Sequence, residues 1–303
     1  MPILGAHMSI AGGAHQALLR GKSICCDAIQ MFTRNANRWA AKPLADEDIE
    51  RFRTTREELG YEHVVAHASY LINLGSPDDD LWQRSQNALM EELERCRLLG
   101  IDRYILHPGA HVGTGEEAGL QRIADGLTAV LAVTEGSGVR ILLENTAGQG
   151  TVLGSSFDQL AWLLDHATPA ERLGVCLDTA HAAAAGYEFR EAATYEALWQ
   201  AFEGLIGRER LGALHLNDSL RDLGSHVDRH THIGEGALGL EPFRLLMNDS
   251  RLRSVPMLLE TPKGEDLAED VVNLATLRGL IGREEPIVTL TAPVGADSEG
   301  RRA

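Results

Sequence analysis

The sequence predicts a single TIM barrel, an α/β fold in which eight parallel strands alternate with helices. Eight short apolar runs are separated by longer amphipathic segments over most of the 303 residues, which is the alternation that a parallel barrel requires. The ends of these runs are evenly spaced: His67 and His107 lie 40 residues apart, and His107 and Glu144 lie 37 apart. A doubly wound open sheet would need a glycine-rich phosphate-binding turn after an early strand, and Gly5 and Gly12–Gly13 do not form one.

The predicted strands are short and mostly apolar, as expected for strands that are covered by helices outside and by the core inside. In chain order they lie near Ile3–His7, Ala28–Phe32, His63–His67, Arg103–His107, Arg140–Glu144, Gly174–Asp178, Gly212–Leu216 and Val255–Glu260.

Six helices are predicted from amphipathic periodicity. In chain order they are Ala45–Leu59, Asp80–Leu99, Glu116–Glu135, Ser156–Ala167, Glu191–Ile206 and Leu240–Asn248. Asp46 and Ser156 are residue types that cap helix N-termini, and Gly100 and Gly136 stand where C-caps are expected. The long polar segment Asn217–Gly239 is predicted to be a functional loop or a disordered one.

The barrel is predicted to fill residues 1–282 as one domain. Residues 283–303 contain Pro, Gly, Glu and Asp with little periodicity, so a flexible tail is predicted there. No run approaches the roughly 20 apolar residues that a membrane helix needs. The first residues do not have the pattern of a secretory signal, and the four cysteines include no CxxC pair. We therefore expect reduced thiols in a cytoplasmic protein.

The net charge of −16 argues against a protein that coats DNA non-specifically, because neutralising phosphates needs Lys and Arg. It does not exclude an enzyme that acts on DNA. Acidic residues can occupy the outer helices while metal ions and a few arginines make the cleft positive.

The strongest functional signal is that six consecutive predicted strands end on or beside a histidine or a carboxylate. These residues are His67, His107, Glu144, Asp178, His215 and Glu260. In a barrel such ends converge on the face where active sites lie. One histidine alone would usually be structural, but three carboxylates packed together without a cation would repel one another strongly. Histidine and carboxylate ligands without cysteine suit Zn²⁺, with Mn²⁺ or Fe²⁺ as possible substitutes.

Three further ligand candidates follow the sixth and seventh predicted strands. His181 lies three residues after Asp178, and a helix that starts there would direct both toward the barrel mouth. The long polar loop adds Asp228 and His230, although His226 and His232 in the same loop leave the choice open. Together there are nine candidate ligands, which is enough for three metal sites if one carboxylate bridges two of them. The nine are His67, His107, Glu144, Asp178, His181, His215, Asp228, His230 and Glu260. His7, at the end of the first strand, is predicted to lie behind the ligands or to contact substrate.

Several long motifs resemble the endonuclease IV family, zinc-dependent endonucleases of DNA repair. They are GAHMSIAGG at the start, HASYLINLG at 67–75, HPGAH at 107–111, LENTAGQG at 143–150, CLDTAHAAAAGY at 176–187, LHLNDS at 214–219, VDRHTHIGEGALG at 227–239 and LLETP at 258–262. The motifs run in order to about residue 280.

The resemblance implies a trinuclear zinc site. It assigns the first zinc to His67, His107 and Glu144, the second to Glu144, Asp178, His215 and Glu260, and the third to His181, Asp228 and His230. The family pattern D-R-H, rather than spacing, selects Asp228 and His230 over His226 and His232.

The resemblance also implies the reaction, which is hydrolysis of the phosphodiester bond 5′ to an abasic site in duplex DNA. The products would be a 3′-hydroxyl and a 5′-deoxyribose phosphate, and trimming of blocked 3′ ends is expected as well. Glu260 and Glu144 would be the catalytic carboxylates, with Glu260 orienting the attacking water or accepting its proton. The family suggests a monomer.

By the same resemblance, the segments after the second and third strands contact DNA. The candidate residues are Asn35, Asn37, Arg38, Tyr70 and Leu71. The family segment usually reads N-Q-R-Q-W, whereas this chain has Asn37 at the wedge arginine position and Arg38 one place later. Ala68 also replaces an aspartate that the family often carries.

Two other functions are compatible with parts of the pattern. A barrel sugar isomerase or epimerase shares the fold and the ligand types but usually needs only one or two divalent ions. A non-catalytic DNA-binding barrel with a decayed site would lack ligands, and none of the nine is missing. Zinc content separates the three: about three ions per chain for the nuclease, one or two for an isomerase, and few or none for a decayed site.

Overall fold

The computed structural model describes residues 1–287 and confirms the predicted TIM barrel. Eight parallel strands close in sequence order, with the last strand pairing with the first. We label them β1 (Ile3–His7), β2 (Ala28–Phe32), β3 (His63–His67), β4 (Arg103–Leu106), β5 (Arg140–Glu144), β6 (Leu173–Asp178), β7 (Leu211–His215) and β8 (Pro256–Leu259).

Helices surround the barrel. They are α1 (Ala14–Ser23), α2 (Asp46–Leu59), α3 (Asp79–Leu99), α4 (Glu116–Val133), α5 (Phe157–His166), α6 (Thr179–Ala185), α7 (Ala192–Leu205), α8 (Glu241–Asn248) and α9 (Ala268–Gly279). Among residues 1–287, no helix combines the length and the apolar character that crossing a bilayer would take.

The core has two parts that follow from the alternation of side chains along each strand. One large cluster packs the outward side chains of the strands against the helices. A second, separate cluster takes one residue from each of β2 to β8: Ala28, Val65, Ile105, Leu142, Cys176, Ala213 and Leu258. We assign this second cluster to the barrel interior, which side chains fill in folds of this class.

The predicted bounds agree with the observed ones to within two residues. Two capping predictions were wrong. Asp46 lies in the first turn of α2, where Ala45 is the N-cap and makes no side-chain cap bond. Gly136 lies inside a short 3₁₀ turn, because α4 already ends at Val133. Ser156 does cap α5, by accepting a hydrogen bond from the Gln159 amide at 3.2 Å.

The long segment Asn217–Gly239 is ordered. Asp218–Ser219 pairs with His230–Thr231 as a short antiparallel ladder. The Asp218 carboxylate accepts hydrogen bonds from the backbone amides of Gly234, Gly236 and Leu238 at 2.9 to 3.0 Å. One buried carboxylate thus folds this loop over the mouth of the barrel.

The prediction of a tail from residue 283 falls mostly on residues 288–303, which lie outside the described residues, and it stays a prediction. Within the described part, Arg244 donates hydrogen bonds to the Arg283 and Glu284 carbonyls at 3.0 and 3.3 Å. The four cysteines are free, as expected.

Candidate metal centre

The structure brings the nine candidate ligands together at the carboxyl end of the barrel. Six of them lie two residues after a member of the interior cluster, for example His67 after Val65 and Glu144 after Leu142. Because alternate residues of a strand point to the same face, each of these side chains projects along the barrel axis into the mouth. The apolar interior layer therefore forms the floor of the site.

A first group consists of His67, His107 and Glu144, whose potential ligand atoms lie within 4.8 Å of one another. The Nε2 atoms of His67 and His107 lie 3.2 and 3.1 Å from the same carboxylate oxygen, Oε2 of Glu144. His67 and Glu144 are buried, whereas the side chain of His107 is 39% exposed at the rim.

A second group uses the other oxygen of the same carboxylate. Nδ1 of His215 lies 2.9 Å from Oε1 of Glu144 and 3.1 Å from Oε2 of Glu260. Oδ2 of Asp178 lies 3.7 Å from the same nitrogen. These four residues form one group within 4.8 Å, so Glu144 is shared by two groups.

A third group lies where α6 begins. Asp178, His181 and His230 lie within 4.8 Å, and the Nε2 atoms of the two histidines are 3.4 Å apart. Oδ1 of Asp228 lies 3.3 Å from Nε2 of His181 and 3.5 Å from Nε2 of His230. Asp178 is also the N-cap of α6, because its Oδ1 accepts from the His181 amide at 2.8 Å. The start of α6 thus fixes both side chains, as the spacing suggested.

The chemistry of this donor set fits bound cations. Nδ1 of His67 donates to the Ala68 carbonyl at 2.8 Å, which leaves the lone pair of Nε2 facing Glu144. Nε2 of His215 lies 2.7 Å from Oε1 of Gln30 and donates to it, which leaves the lone pair of Nδ1 facing the same carboxylate. A lone pair that faces a carboxylate oxygen is repulsive unless a proton or a metal ion lies between them.

His181 shows the same arrangement. Its Nδ1 donates to the Asn145 carbonyl at 2.9 Å, so the lone pair of Nε2 faces Asp228. A second proton on each imidazole would also satisfy these contacts. However, the histidine rings lie close together, with 6.0 Å between the centroids of His67 and His215, and adjacent imidazolium ions would repel. Shared divalent cations are the better fit.

The surroundings favour the ionised form of the central carboxylates. Burial raises the pKa of a carboxyl group, yet positive charge on the neighbouring imidazoles of His215 and His107 outweighs burial and holds the pKa of Glu144 well below its usual range. A divalent cation between the same groups would act in the same direction. At Glu260, burial is likewise outweighed by His215 and His7, and the pKa is again well below its usual range. Both side chains are therefore available as anionic ligands.

Three polar residues behind the ligands were missed by the sequence interpretation. Gln30 is fully buried; its amide nitrogen donates to Glu260 and its oxygen accepts from His215. Asn217 donates to Asp178 at 2.7 Å and accepts from the Glu260 amide at 2.8 Å. The signal for Gln30 was available: it is the one polar residue inside the apolar run AIQMF, and buried polar groups need partners.

Asn145, one residue after Glu144, completes this shell. Its side chain accepts from the Asp178 amide at 2.6 Å and donates to the Asp178 carbonyl at 3.1 Å. It therefore holds the end of β6 beside the end of β5. Such outer contacts orient ligands and fix which histidine nitrogen faces the metal.

The structure also distinguishes among the three histidines of the long loop, which spacing in the sequence could not do. Nδ1 of His226 lies 3.1 Å from the Ala147 carbonyl, and His232 contacts Asn273 at 3.2 Å. Within residues 1–287, neither belongs to any of the three groups. Nδ1 of His7 lies 3.0 Å from Nε2 of Gln30 and 3.7 Å from Oε1 of Glu260, so His7 adjoins the second group.

A cleft of about 790 Å³ opens above the metal groups and is lined by both loops that were predicted to contact DNA. Asn35 and Asn37 line it from the loop after β2, and Tyr70 lines it from the loop after β3. Tyr70 is 69% exposed, an unusual position for a large aromatic side chain. Arg38 is exposed on the same loop as Asn37, whereas Leu71 is half-buried and lies outside the lining of the cleft.

Comparisons with known proteins agree with this architecture. A family model described as a xylose isomerase-like TIM barrel matches residues 21–277. A protein named probable endonuclease 4 from Chloroflexus aggregans is 51% identical, over 93% of this chain and 98% of that protein. One of the same name from Geobacter sulfurreducens is 50% identical, over 92% of this chain and 95% of that protein. The crystal structure of endonuclease IV from Thermus thermophilus matches with a TM-score of 0.81 at 37% identity, over 92% of this chain and 98% of that one.

A D-tagatose 3-epimerase-like protein also matches, with a TM-score of 0.67 over 91% of this chain and 98% of that one. The sequence identity is only 18%, so this similarity concerns the fold alone. The sugar-epimerase alternative therefore shares the barrel with this chain but lacks the sequence relationship that the endonucleases show.

Proposed function

The chain belongs to the endonuclease IV family of hydrolytic nucleases, and on this basis we propose that it hydrolyses the phosphodiester bond 5′ to abasic sites in duplex DNA. The products would be a 3′-hydroxyl and a 5′-deoxyribose phosphate, with trimming of blocked 3′ ends as a second activity of the same site. The observation that supports the proposal is the set of three adjoining groups of histidine and carboxylate side chains that could each hold a cation, and that share Glu144 and Asp178.

We propose three zinc ions as the cofactors, with Mn²⁺ or Fe²⁺ as possible substitutes. The first would be held by His67, His107 and Glu144, the second by Glu144, Asp178, His215 and Glu260, and the third by His181, Asp228 and His230. Within the described residues the third geometric group contains Asp178 in place of Asp228, which lies 3.3 Å from His181. When bound, such ions offset the negative charge of the phosphodiester and lower the pKa of water.

The residues of the chain would divide the remaining work. Glu260 is the carboxylate of the second group that lines the cleft, so it is placed to orient the attacking water or to accept its proton. Glu144 is fully buried between two groups and would bind both metals rather than move a proton. His7 and Gln30 hold Glu260 in place.

Recognition of the lesion would come from the two loops above the site. A nucleotide without a base has lost its stacking, so turning it out of the helix costs little. Tyr70, which is exposed in the cleft, would fill the gap, while Asn35, Asn37 and Arg38 would contact the backbone nearby. A monomeric state and a cytoplasmic location remain predictions.

The decisive experiment is incision of a duplex oligonucleotide that carries one tetrahydrofuran abasic analogue. This analogue cannot undergo β-elimination, so a nick must be hydrolytic. We expect a 5′ nick that leaves a 3′-hydroxyl, is lost after prolonged chelation and returns with zinc. An undamaged duplex is the matched control. If protein with about three bound zinc ions leaves the analogue intact, the abasic-endonuclease proposal fails and sugar substrates become the next test.

A further inference from the structure

A second buried polar cluster lies beneath the two loops, on the helix side of the barrel. Its centre is Glu92 of α3, which is 1% exposed. Its carboxylate accepts from Arg34 Nε at 2.7 Å, from the Ser69 backbone amide at 3.2 Å and from the Tyr104 hydroxyl at 2.7 Å. Arg34 is itself 3% exposed, so the ion pair is buried.

The position of these partners in the chain is informative. Arg34 directly precedes Asn35, and Ser69 directly precedes Tyr70. The two loops come from different strands, yet the residues that start them are bonded to the two oxygens of one carboxylate. Glu92 therefore fixes the spacing between the loop after β2 and the loop after β3.

Other contacts of α3 attach the same loop at more points. Arg95 donates to the Thr33 carbonyl at 2.7 and 2.9 Å and to the Lys42 carbonyl at 3.0 Å. The Arg84 guanidinium lies 4.4 Å from the centre of the Trp39 ring, and Arg34 donates to the Trp39 carbonyl at 2.6 Å. The loop that carries Asn37 and Arg38 is thus attached to α3 on both sides of these two residues, at Thr33 and Arg34 before them and at Trp39 and Lys42 after them.

A buried ion pair is an expensive way to hold a helix on a barrel, because desolvation offsets much of the attraction and apolar packing would serve as well. What an ion pair adds is geometric specificity: hydrogen-bond directions that set where each loop starts. Within residues 1–287, the side-chain bonds of Glu92 go to Arg34, Ser69 and Tyr104, and none of these belongs to the three metal groups.

We propose that Glu92 is a positioning residue for lesion recognition, which sets the gap between the two DNA-contacting loops and does not take part in the chemistry. This inference rests on the proposed function. It predicts a selective loss: a protein without the carboxylate would bind abasic duplex poorly but cleave it normally once bound.

The test compares Glu92→Gln with Glu94→Gln on the tetrahydrofuran duplex. Glu94 lies on the same helix, but its side chain is 50% exposed and pairs with Arg97 at the surface. For Glu92→Gln we expect KM to rise about tenfold or more, since small misplacements of contact groups are costly, with kcat and zinc content unchanged. Glu94→Gln should match the wild type in all three. An unchanged KM, or a fall in kcat equal to the rise in KM, would overturn the proposal.

A double-mutant cycle with Tyr70→Ala separates positioning from general loosening. If Glu92 acts through the loop of Tyr70, its substitution should raise KM less in the Tyr70→Ala background than in the wild type. Purely additive effects would count against the proposal.

If Glu92→Gln does not fold, Arg34→Lys provides the same test. Lysine keeps the charge opposite Glu92 but loses the fork that also reaches Trp39 and Ser69, so the same rise in KM is expected at a smaller size. A wild-type protein that leaves the duplex intact would remove the proposed function and this inference together. If the wild type cuts the duplex normally and the Glu92 and Arg34 variants have the same KM as the wild type, the proposed function stands and only the positioning role of Glu92 is overturned.

Discussion

Gln30 lies behind the candidate metal centre and determines how one of the proposed ligands, His215, is oriented. Its side-chain oxygen accepts from Nε2 of His215, which directs Nδ1 toward the carboxylates of the second group. Without this acceptor the ring could rotate or change tautomer.

We therefore predict that Gln30→Leu lowers zinc affinity by about ten- to a hundredfold, because outer contacts orient the ligand. Leucine is similar in size, so the barrel interior should stay filled. Zinc titration against a competing chelator measures the effect. Gln83→Leu, an exposed change on α3, is the control. Equal affinity in Gln30→Leu and the wild type would show that His215 is oriented without Gln30.

Glu260 gives the second prediction at this scale. Glu260→Gln keeps an oxygen that can accept from Gln30 but loses the negative charge and the capacity to take a proton. We expect the fold and most of the zinc to persist while incision slows by about a hundredfold or more. Single-turnover incision and metal analysis give the two readouts, with the exposed change Glu235→Gln as control. Turnover like that of the wild type would remove Glu260 from the mechanism.

These residues show which parts of the candidate site could be predicted from the sequence. His67, Glu144 and the other strand-end positions were predictable because each closes a recognisable apolar run. Gln30 was passed over because it stands within such a run. Asp228 and His230 required the family motif, since a loop with several histidines gives no periodicity by which to choose among them.

Among the elements, α3 has the widest role, because it supports both loops above the site through Glu92 and Arg95. Its N-terminus is capped by Asp78, whose Oδ1 accepts from the Leu81 amide at 2.8 Å.

We predict that Asp78→Ala lowers the free energy of unfolding by about 1 kcal/mol through loss of this cap. Asp80→Ala is the matched control, since Asp80 is an exposed acid in the first turn of the same helix. Urea unfolding of both variants separates the cap bond from the general benefit of negative charge near a helix N-terminus. If both variants lose the same stability, charge rather than the cap bond is responsible.

Three helices of the described structure, α1, α6 and α9, are missing from the six that periodicity predicted. α6 reads TAHAAAA, too short and too uniformly small to show an amphipathic face, and it is buried almost throughout. α1 and α9 were also absent from the prediction. For α9 the N-cap position is Leu267, with a positive φ of 60° and no side-chain cap bond, so no capping signal marks the start of the helix.

At the scale of the whole molecule, the net charge of −16 opposes the expected action on DNA, because a negatively charged protein repels the phosphate backbone. Within residues 1–287, few basic side chains stand at the mouth: Arg229 and Lys263 line the cleft, and Arg38 is exposed on the adjoining loop. Arg34 also lines the cleft but is buried and paired with Glu92, and Lys263 is paired with Asp270 at 2.6 Å. Binding should therefore depend on metals and shape more than on released counterions.

This charge distribution predicts a shallow salt dependence. Three phosphate contacts give a slope of log K against log salt no steeper than about −3. Anisotropy titrations of abasic duplex over a range of KCl concentrations measure the slope. Arg229→Ala should reduce it by about one. Arg208→Ala, in the 3₁₀ turn that leads into β7 at the opposite end of the barrel, should leave it unchanged. A slope near about −6 would mean that further basic residues reach the backbone.

The closed barrel itself was predictable from the even spacing of eight strand ends, because a doubly wound sheet would need a glycine-rich phosphate-binding turn that Gly5 and Gly12–Gly13 do not form. The link through α3 between the loop after β2 and the loop after β3 was not predictable. Arg34, Ser69 and Glu92 are far apart in the chain, and nothing in their local patterns pairs them.

Successive side chains of each strand point alternately into the barrel and toward the helices. This alternation also determines where the chain tolerates changes in length. One residue inserted between Val65 and His67 would turn the imidazole from the mouth to the helix layer, because a shift of one reverses the face of every later side chain. Insertions after the strand ends leave the ligands where they are. A barrel of this kind can therefore gain and lose residues in the loops above its mouth while the histidines and carboxylates at the strand ends keep their positions.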